Sequence, residues 1–250
     1  MRLEELVGYL DELLKLGEFS DDESANGLQV EGRESVRKVA IAVDACGYVF
    51  KEAVKQGADL LFVHHGLVWG GIKSIRGVLK ARLKLLLENE LSLYACHLPL
   101  DAHPELGNNA QLLQVLGIER RGEFGEYHGK RIGYWGELPQ RMSVASFAAL
   151  VEERLATRCR SIDFRGDAKR VGVVSGGGWS AIFDAEKIKI DTLLTGEPSH
   201  SAYSLAEELG VNLIFAGHYA TEKLGVLAVG EHLREKFGLE VVFIDHDTGL

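Results

Sequence analysis

Cysteine is scarce in this chain: Cys46, Cys96 and Cys159 are the only three in 250 residues. An odd, unclustered set excludes a disulfide framework and a thiolate metal site, leaving each as a small buried hydrophobe. Long apolar runs are also missing. The hydrophobic residues come in short stretches, nowhere reaching the roughly 18 consecutive positions of a membrane span. The opening Met1-Arg2-Leu3-Glu4-Glu5-Leu6 has no basic segment followed by an apolar one, so it reads as an acidic amphipathic helix and not as a secretory signal. The expected location is the cytoplasm, with no membrane partner. Positive charge is in deficit too, with 28 Lys and Arg against 37 Asp and Glu, a net charge of -9. Such a field repels polyanions and argues against double-stranded nucleic acid as the main ligand. A small phosphorylated ligand is still compatible, because metals and oriented backbone amides reverse the field locally.

What is present is the composition of an ordinary globular protein, 46% hydrophobic and 26% charged. Strand-like runs alternate with helical patterns, which predicts an α/β fold with mainly parallel sheets. In the first half the strands are Val39 to Val43, Leu60 to Val63 and Leu91 to Ala95, separated by helices near 49–56 and 78–89. The theme returns with Val171 to Val174, Thr192 to Leu194 and Val211 to Phe215, with helices near 181–188 and 201–209 between them. A helix near 224–237 and the strand Val241 to Ile244 close the chain. The rhythm resembles a weak duplication without shared motif letters. Two similar lobes are expected, 1–125 and 126–250, with a metal site in the crevice between them. Residues 121–139 form the seam or a small insert, and Ser143 is placed to cap a helix running to about Arg158.

Chemistry-bearing residues gather at the ends of the strands. His64-His65 closes the run from Leu60, in the position where parallel α/β sheets collect ligands. Adjacent side chains there diverge, so the two imidazoles can reach separate cations. Cys96-His97-Leu98-Pro99-Leu100-Asp101 leaves the next strand. Asp101 adds a hard oxygen ligand to the imidazole nitrogens, a mixture suited to zinc, iron or manganese. His97 is read as a ligand or as a group that holds one. The third cluster is Gly217-His218-Tyr219-Ala220-Thr221-Glu222. If a helix starts at or just before His218, the four-residue spacing puts His218 and Glu222 on one face, one turn apart.

Ser175-Gly176-Gly177-Gly178-Trp179 lies between a strand and a helix, so Gly176, Gly177 and Gly178 serve either as a phosphate cradle or as a tight turn. Thr195-Gly196-Glu197-Pro198-Ser199-His200 follows another strand, which makes Glu197 and His200, with His97, candidate proton shuttles. His103, His128, His232 and His246 lack a ligand partner at a convincing spacing and are expected at the surface.

At these residues the chain resembles the GTP cyclohydrolase 1 type 2 homologue family, the dinuclear-metal proteins related to Ngg-interacting factor three, in its short bacterial branch. The resemblance is carried by Ser24 to Gly32, Gly57-Ala58-Asp59 through His64-His65-Gly66-Leu67, Tyr94 through Asp101, Thr195-Gly196-Glu197, and Gly217 through Glu222, in that order. The family's usual Asn-Asn before Gly-Leu-Gln-Val is Ala25-Asn26 here, and Cys46 follows Asp44 where small hydroxyl residues are more usual. The resemblance implies that His64, His65, Asp101, His218 and Glu222 ligate two divalent cations per subunit, with Glu222 shared. It also implies a toroidal homohexamer built from dimers, and metal-dependent hydrolysis of a nucleotide or related small phosphorylated substrate. A non-catalytic metal carrier and a metal-stabilised, ring-shaped scaffold are the alternative readings of the same ligands.

Overall fold

The computed structural model describes residues 1–249. Along the chain run helix α1 (Leu3–Leu13), strands β1 (Gly27–Val30) and β2 (Lys38–Asp44), helix α2 (Gly47–Lys55), strand β3 (Leu60–His65), helix α3 (Gly77–Glu88) and strand β4 (Ser92–Ala95). Helices α4 (Leu98–Ala102) and α5 (Asn108–Val115) follow, then strands β5 (Glu119–Tyr127) and β6 (Lys130–Ser143), helix α6 (Val144–Leu155), and strands β7 (Arg160–Ile162) and β8 (Asp167–Val174). Helix α7 (Ile182–Ile188), strand β9 (Thr192–Thr195), helix α8 (His200–Leu209), strand β10 (Asn212–Phe215), helix α9 (His218–Phe237) and strand β11 (Glu240–Phe243) complete the order. No helix among the described residues is long and apolar enough to cross a membrane.

The chain forms two compact units, Met1–Leu100 with Val226–His246, and Asp101–Gly225 with the short tail from Asp247. The first unit holds a five-stranded sheet of order β1-β4-β3-β2-β11. Its β2, β3, β4 and β11 pair in parallel, and only β1 is antiparallel. Val39, Ala40, Ile41, Ala42 and Val43 of β2 are all buried. Both faces of this strand are covered, which explains why the run is continuously apolar and does not alternate. Phe50 and Val49 of α2 and Leu86 of α3 pack onto Ala40, Leu61, Val63 and Leu93 of the sheet. Helix α9 crosses closely at Gly230, where a Cβ would meet the Ile41 side chain at 2.5 Å.

The second unit has a six-stranded sheet of order β5-β6-β8-β9-β10-β7. Only β8, β9 and β10 are mutually parallel, so this sheet is mixed. Antiparallel pairing comes from β7 at one edge and from residues 119–143 at the other. Residues 121–139, expected as the seam or a small insert, lie within the β5–β6 hairpin, which is closed by His128-Gly129, whose φ values are both positive. A two-residue turn of that hand matches the right-handed strand twist. Ser143 caps α6 as expected, its hydroxyl accepting from Ser146 N–H at 3.1 Å. Phe147, Val151 and Leu155 on that helix's buried face pack with Val171, Val173, Leu194 and Ile214.

The two units share one hydrogen-bonding device although they share no motif letters. Just before β3, the Asp59 carboxylate accepts from Arg37 and Lys38 N–H, its own N–H donates to Lys38 C=O, and its C=O accepts from Ser92 N–H. Just before β9, Asp191 repeats the device: its carboxylate accepts from Lys169 and Arg170 N–H, its N–H donates to Arg170 C=O, and its C=O accepts from Asn212 N–H. Each buried aspartate ties three neighbouring strands together.

Candidate metal centre

In the first unit, His64 and His65 are the last two residues of β3. The pairing register sets Asp44, the end of β2, beside His65. His65 Nδ1 donates to Asp44 Oδ1 at 2.8 Å, and the fully buried His64 donates from Nδ1 to the Cys96 carbonyl at 2.9 Å. His97 lies just beyond β4, its N–H donating to Asn26 Oδ1 at 2.7 Å and its Nδ1 to Asp22 at 3.0 Å. Asp22 is itself fixed by Asn26 Nδ2 and by the Ser24 and Leu98 N–H groups. Burial works to raise its pKa, but the hydrogen bond and charge of His97, followed by Asn26 and Ser24, outweigh that and hold the carboxyl down to about 2.

The turn after His65 explains the Ser24 to Gly32 motif, which carries no ligand. Gln29 Oε1 accepts from Leu67 and Val68 N–H at 2.7 and 3.1 Å, and its Nε2 donates to Ala25 C=O. Gly66 has to be glycine there, because a Cβ would lie 2.3 Å from Gln29 Nε2. Trp69 packs edge-on to His97, ring centroids 4.9 Å apart.

In the second unit, helix α9 does begin at His218, so His218 and Glu222 share a face, with Nε2 and Oε2 3.0 Å apart. His218 Nδ1 donates to Glu197 Oε1 at 2.7 Å. Burial disfavours the imidazolium, but Glu222 and then Glu197 outweigh it and push the His218 pKa up to about 9. Asp101 is buried, and its Oδ1 accepts from Asn108 Nδ2 at 2.9 Å and from Ser175 Oγ at 2.8 Å. Gly176 lies against the His–Glu pair with φ of +56°, where a Cβ would sit 2.1 Å from Glu222 Oε1 and 3.1 Å from His218 Nε2.

That contact gives the glycine run a packing reason. Gly176 N–H donates to Thr221 Oγ1, and its carbonyl accepts from Gly196 and Glu197 N–H. A Cβ on Gly178 would lie 2.3 Å from Val174, whereas Gly177 has room. Glu197 therefore stands as the orienter of His218. His200 is exposed at the start of α8 and makes no side-chain hydrogen bond among the described residues. His103 accepts two turn N–H groups through Nδ1, and His232 bonds the Tyr9 hydroxyl.

Carboxylates and carbonyls only accept, so Nδ1 of His64, His65, His97 and His218 each carries the hydrogen. In a neutral ring the lone pair is then on Nε2, the arrangement in which protein histidines ligate metals while an oxygen holds the other nitrogen. Within the first unit the ligand nitrogens of His64, His65 and His97 lie within 4.8 Å of one another. The residues thus form groups that could hold a metal ion, and the mixed nitrogen and carboxylate donors fit zinc, iron or manganese. Sequence reasoning missed Asp22, Asn108 and Ser175. Asp22 looks like one member of a solvated acidic run, Asp21-Asp22-Glu23, and no sequence signal separates it from its neighbours.

A curated relative from Pyrococcus horikoshii, named a GTP cyclohydrolase 1 type 2 homolog, is 50% identical over 252 residues and covers 100% of both chains. One of the same name from Escherichia coli K12 is 42% identical, covering 98% of each. Among solved structures, protein ybgI, of unknown function, superposes with a TM-score of 0.94 at 41% identity over 100% of both chains. The family model described as Duf34/NIF3 (NGG1p interacting factor 3) matches residues 1–249, so the chain belongs to that family.

Proposed function

We propose that His64, His65, Asp101, His218 and Glu222 ligate two divalent cations, Glu222 contributing to both, and that the protein is a metal-dependent hydrolase of a nucleotide or related small phosphorylated molecule. The observation that carries the metal reading is the set of Nδ1 bonds: His64, His65 and His218 each have that nitrogen held by an oxygen acceptor. Such oxygen partners fix the ring and raise its basicity as a ligand. The substrate class rests on the family resemblance and on the name of the relatives.

When bound, two cations supply Lewis-acid polarisation of the substrate and lower the pKa of water. The rest falls to the chain. His97 takes a proton at Nε2, and Asp22 stabilises the imidazolium that forms. Glu197 keeps His218 in its orientation, and His200 at the start of α8 exchanges protons with solvent. Gly177, the one glycine of its turn with space around it, leaves room for an anionic group. Family resemblance extends the proposal to a ring-shaped homohexamer built from dimers, working in the cytoplasm.

The test is metal content and turnover together. Protein reloaded with iron, zinc or manganese should bind two equivalents per chain and hydrolyse a member of a nucleotide and phosphoester panel, and Glu222→Ala should lose both. Metal-loaded protein that turns over nothing, yet passes its metal to an apo-enzyme, would replace this reading with the carrier.

A further inference from the structure

We infer that Trp69 is the shelf on which the substrate's heterocyclic base stacks, and that the cationic segment after it, Lys73 to Lys84, attracts the phosphates. The inference rests on the nucleotide class proposed above and names the residues that recognise it.

Tryptophan is highly buried in most folded chains, whereas Trp69 is 41% exposed. It is nonetheless fixed. The residue bridges Ser24 in antiparallel pairing, with Val68 C=O accepting from Ala25 N–H at 3.0 Å and Gly70 N–H donating to Glu23 C=O at 2.8 Å. The indole Nε1 donates to Gly66 C=O at 2.9 Å, and the ring meets His97 edge-on at 4.9 Å between centroids. Gly70 and Gly71 follow with φ of +56° and +88°, and a Cβ on either would stand in open space. A half-exposed ring that is already held in place loses little freedom when a planar ligand settles on it, which is what a stacking surface needs. It also stands beside His97, the proton acceptor assigned above, so a base stacked there lies next to the residue that serves its chemistry.

The charge of the neighbouring segment is opposite to that of the chain. Between His65 and Glu88 lie Lys73, Arg76, Lys80, Arg82 and Lys84 and no acidic residue, in a protein of net charge -9. Every residue from Trp69 to Val78 is exposed. Among the described residues only Lys84 of these five forms an ion pair, with Glu88 at 3.5 Å. Four cations without an acidic partner, close together in sequence, build a local positive field on a molecule that otherwise repels anions. Lys73 is four residues from Trp69, a chain length of at most about 14 Å. A nucleotide with its base on the ring therefore has its phosphates within reach of this field. An aromatic face beside positive charge binds nucleotides with little discrimination between bases, because every base has a π face.

The experiment measures binding and not turnover. GTP, ATP, guanosine and inorganic triphosphate are titrated by calorimetry into the chelator-stripped full chain, with tryptophan emission read alongside. GTP and ATP should bind more tightly than guanosine or triphosphate and quench the emission. Trp69→Ala should weaken GTP about 5- to 150-fold, the range for losing one base stack, and leave triphosphate unchanged. Lys73→Glu/Arg76→Glu should weaken GTP about tenfold or more and leave guanosine unchanged. If Trp69→Ala does not fold by circular dichroism, Trp69→Phe, which keeps an aromatic face, should still hold GTP while losing the quench. A folded Trp69→Ala with unchanged GTP affinity overturns the inference. So do a quench that persists in Trp69→Phe, equal binding of triphosphate and GTP, or an unaltered chain that binds no nucleotide. Failure of the hydrolase proposal looks different: GTP would then bind in a Trp69-dependent manner and remain intact in the metal-loaded protein.

Discussion

At the scale of single residues, the carboxylates around the second unit's histidine favour its imidazolium form. The His218 pKa lies raised, near 9, above the ordinary value of 6.5. Its ion pairs with Glu222 and Glu197 therefore contribute stability that is fully present below pH 6.5 and lost as pH rises through 9. A metal has to displace that proton, so uptake should release one proton per chain below pH 9, and affinity should fall about tenfold per unit as pH drops. Calorimetry in buffers of different ionisation enthalpy reads the released proton directly; uptake with no proton release at pH 7 would contradict the assignment. Gly176→Ala tests the same pair sterically. The new Cβ meets Glu222 Oε1 at 2.1 Å in a left-handed backbone, so we expect about 1–3 kcal/mol of destabilisation and loss of one bound cation, measured by denaturant titration and metal analysis. The candidate ligands were legible in the sequence because they follow strand-forming runs, and the helix that begins at His218 puts Glu222 on the same face, as the four-residue spacing predicted. Asp22, Asn108 and Ser175 were not, since each bonds a partner far off in sequence: 75 residues separate Asp22 from His97, 74 separate Ser175 from Asp101, and 117 separate Asn108 from Gly225.

Among the elements, the buried parallel strands were the most readable, because covering both faces forces an uninterrupted apolar run such as Val39 to Val43. The hairpin over 119–143 was not. Its strands alternate glycine, glutamate, arginine and aromatic residues, and β5 is exposed over much of its length, so neither a period nor an apolar run announces it. Its turn offers a simple check. His128 holds φ at 49° on an exposed tip, at a position where asparagine is the preferred partner of the following glycine. His128→Asn should stabilise the protein by about 0.5 kcal/mol, raising the melting temperature by roughly 1–2 °C. A lower melting temperature would mean that the edge-on contact of His128 with Tyr127 outweighs the backbone gain.

For the whole molecule, any metal that binds only the folded chain also stabilises it. A ligand present at about 100 times its Kd adds roughly 2.7 kcal/mol to folding, so chelation should lower the melting temperature by about 5–10 °C and re-addition of metal should restore it. A scan with and without chelator decides this, and an unchanged transition would argue against tight metal binding. The two units also differ in how the chain supplies them. The second takes nearly all its residues from one continuous stretch, whereas the first takes its edge strand β11 from residues that follow the second. During synthesis, β2 therefore leaves the ribosome with one flank unpaired and must wait for the second unit to be made. The unit that comes later in the sequence is the one able to close first, and an exposed β2 edge is the interval in which nascent chains are most open to chaperone capture.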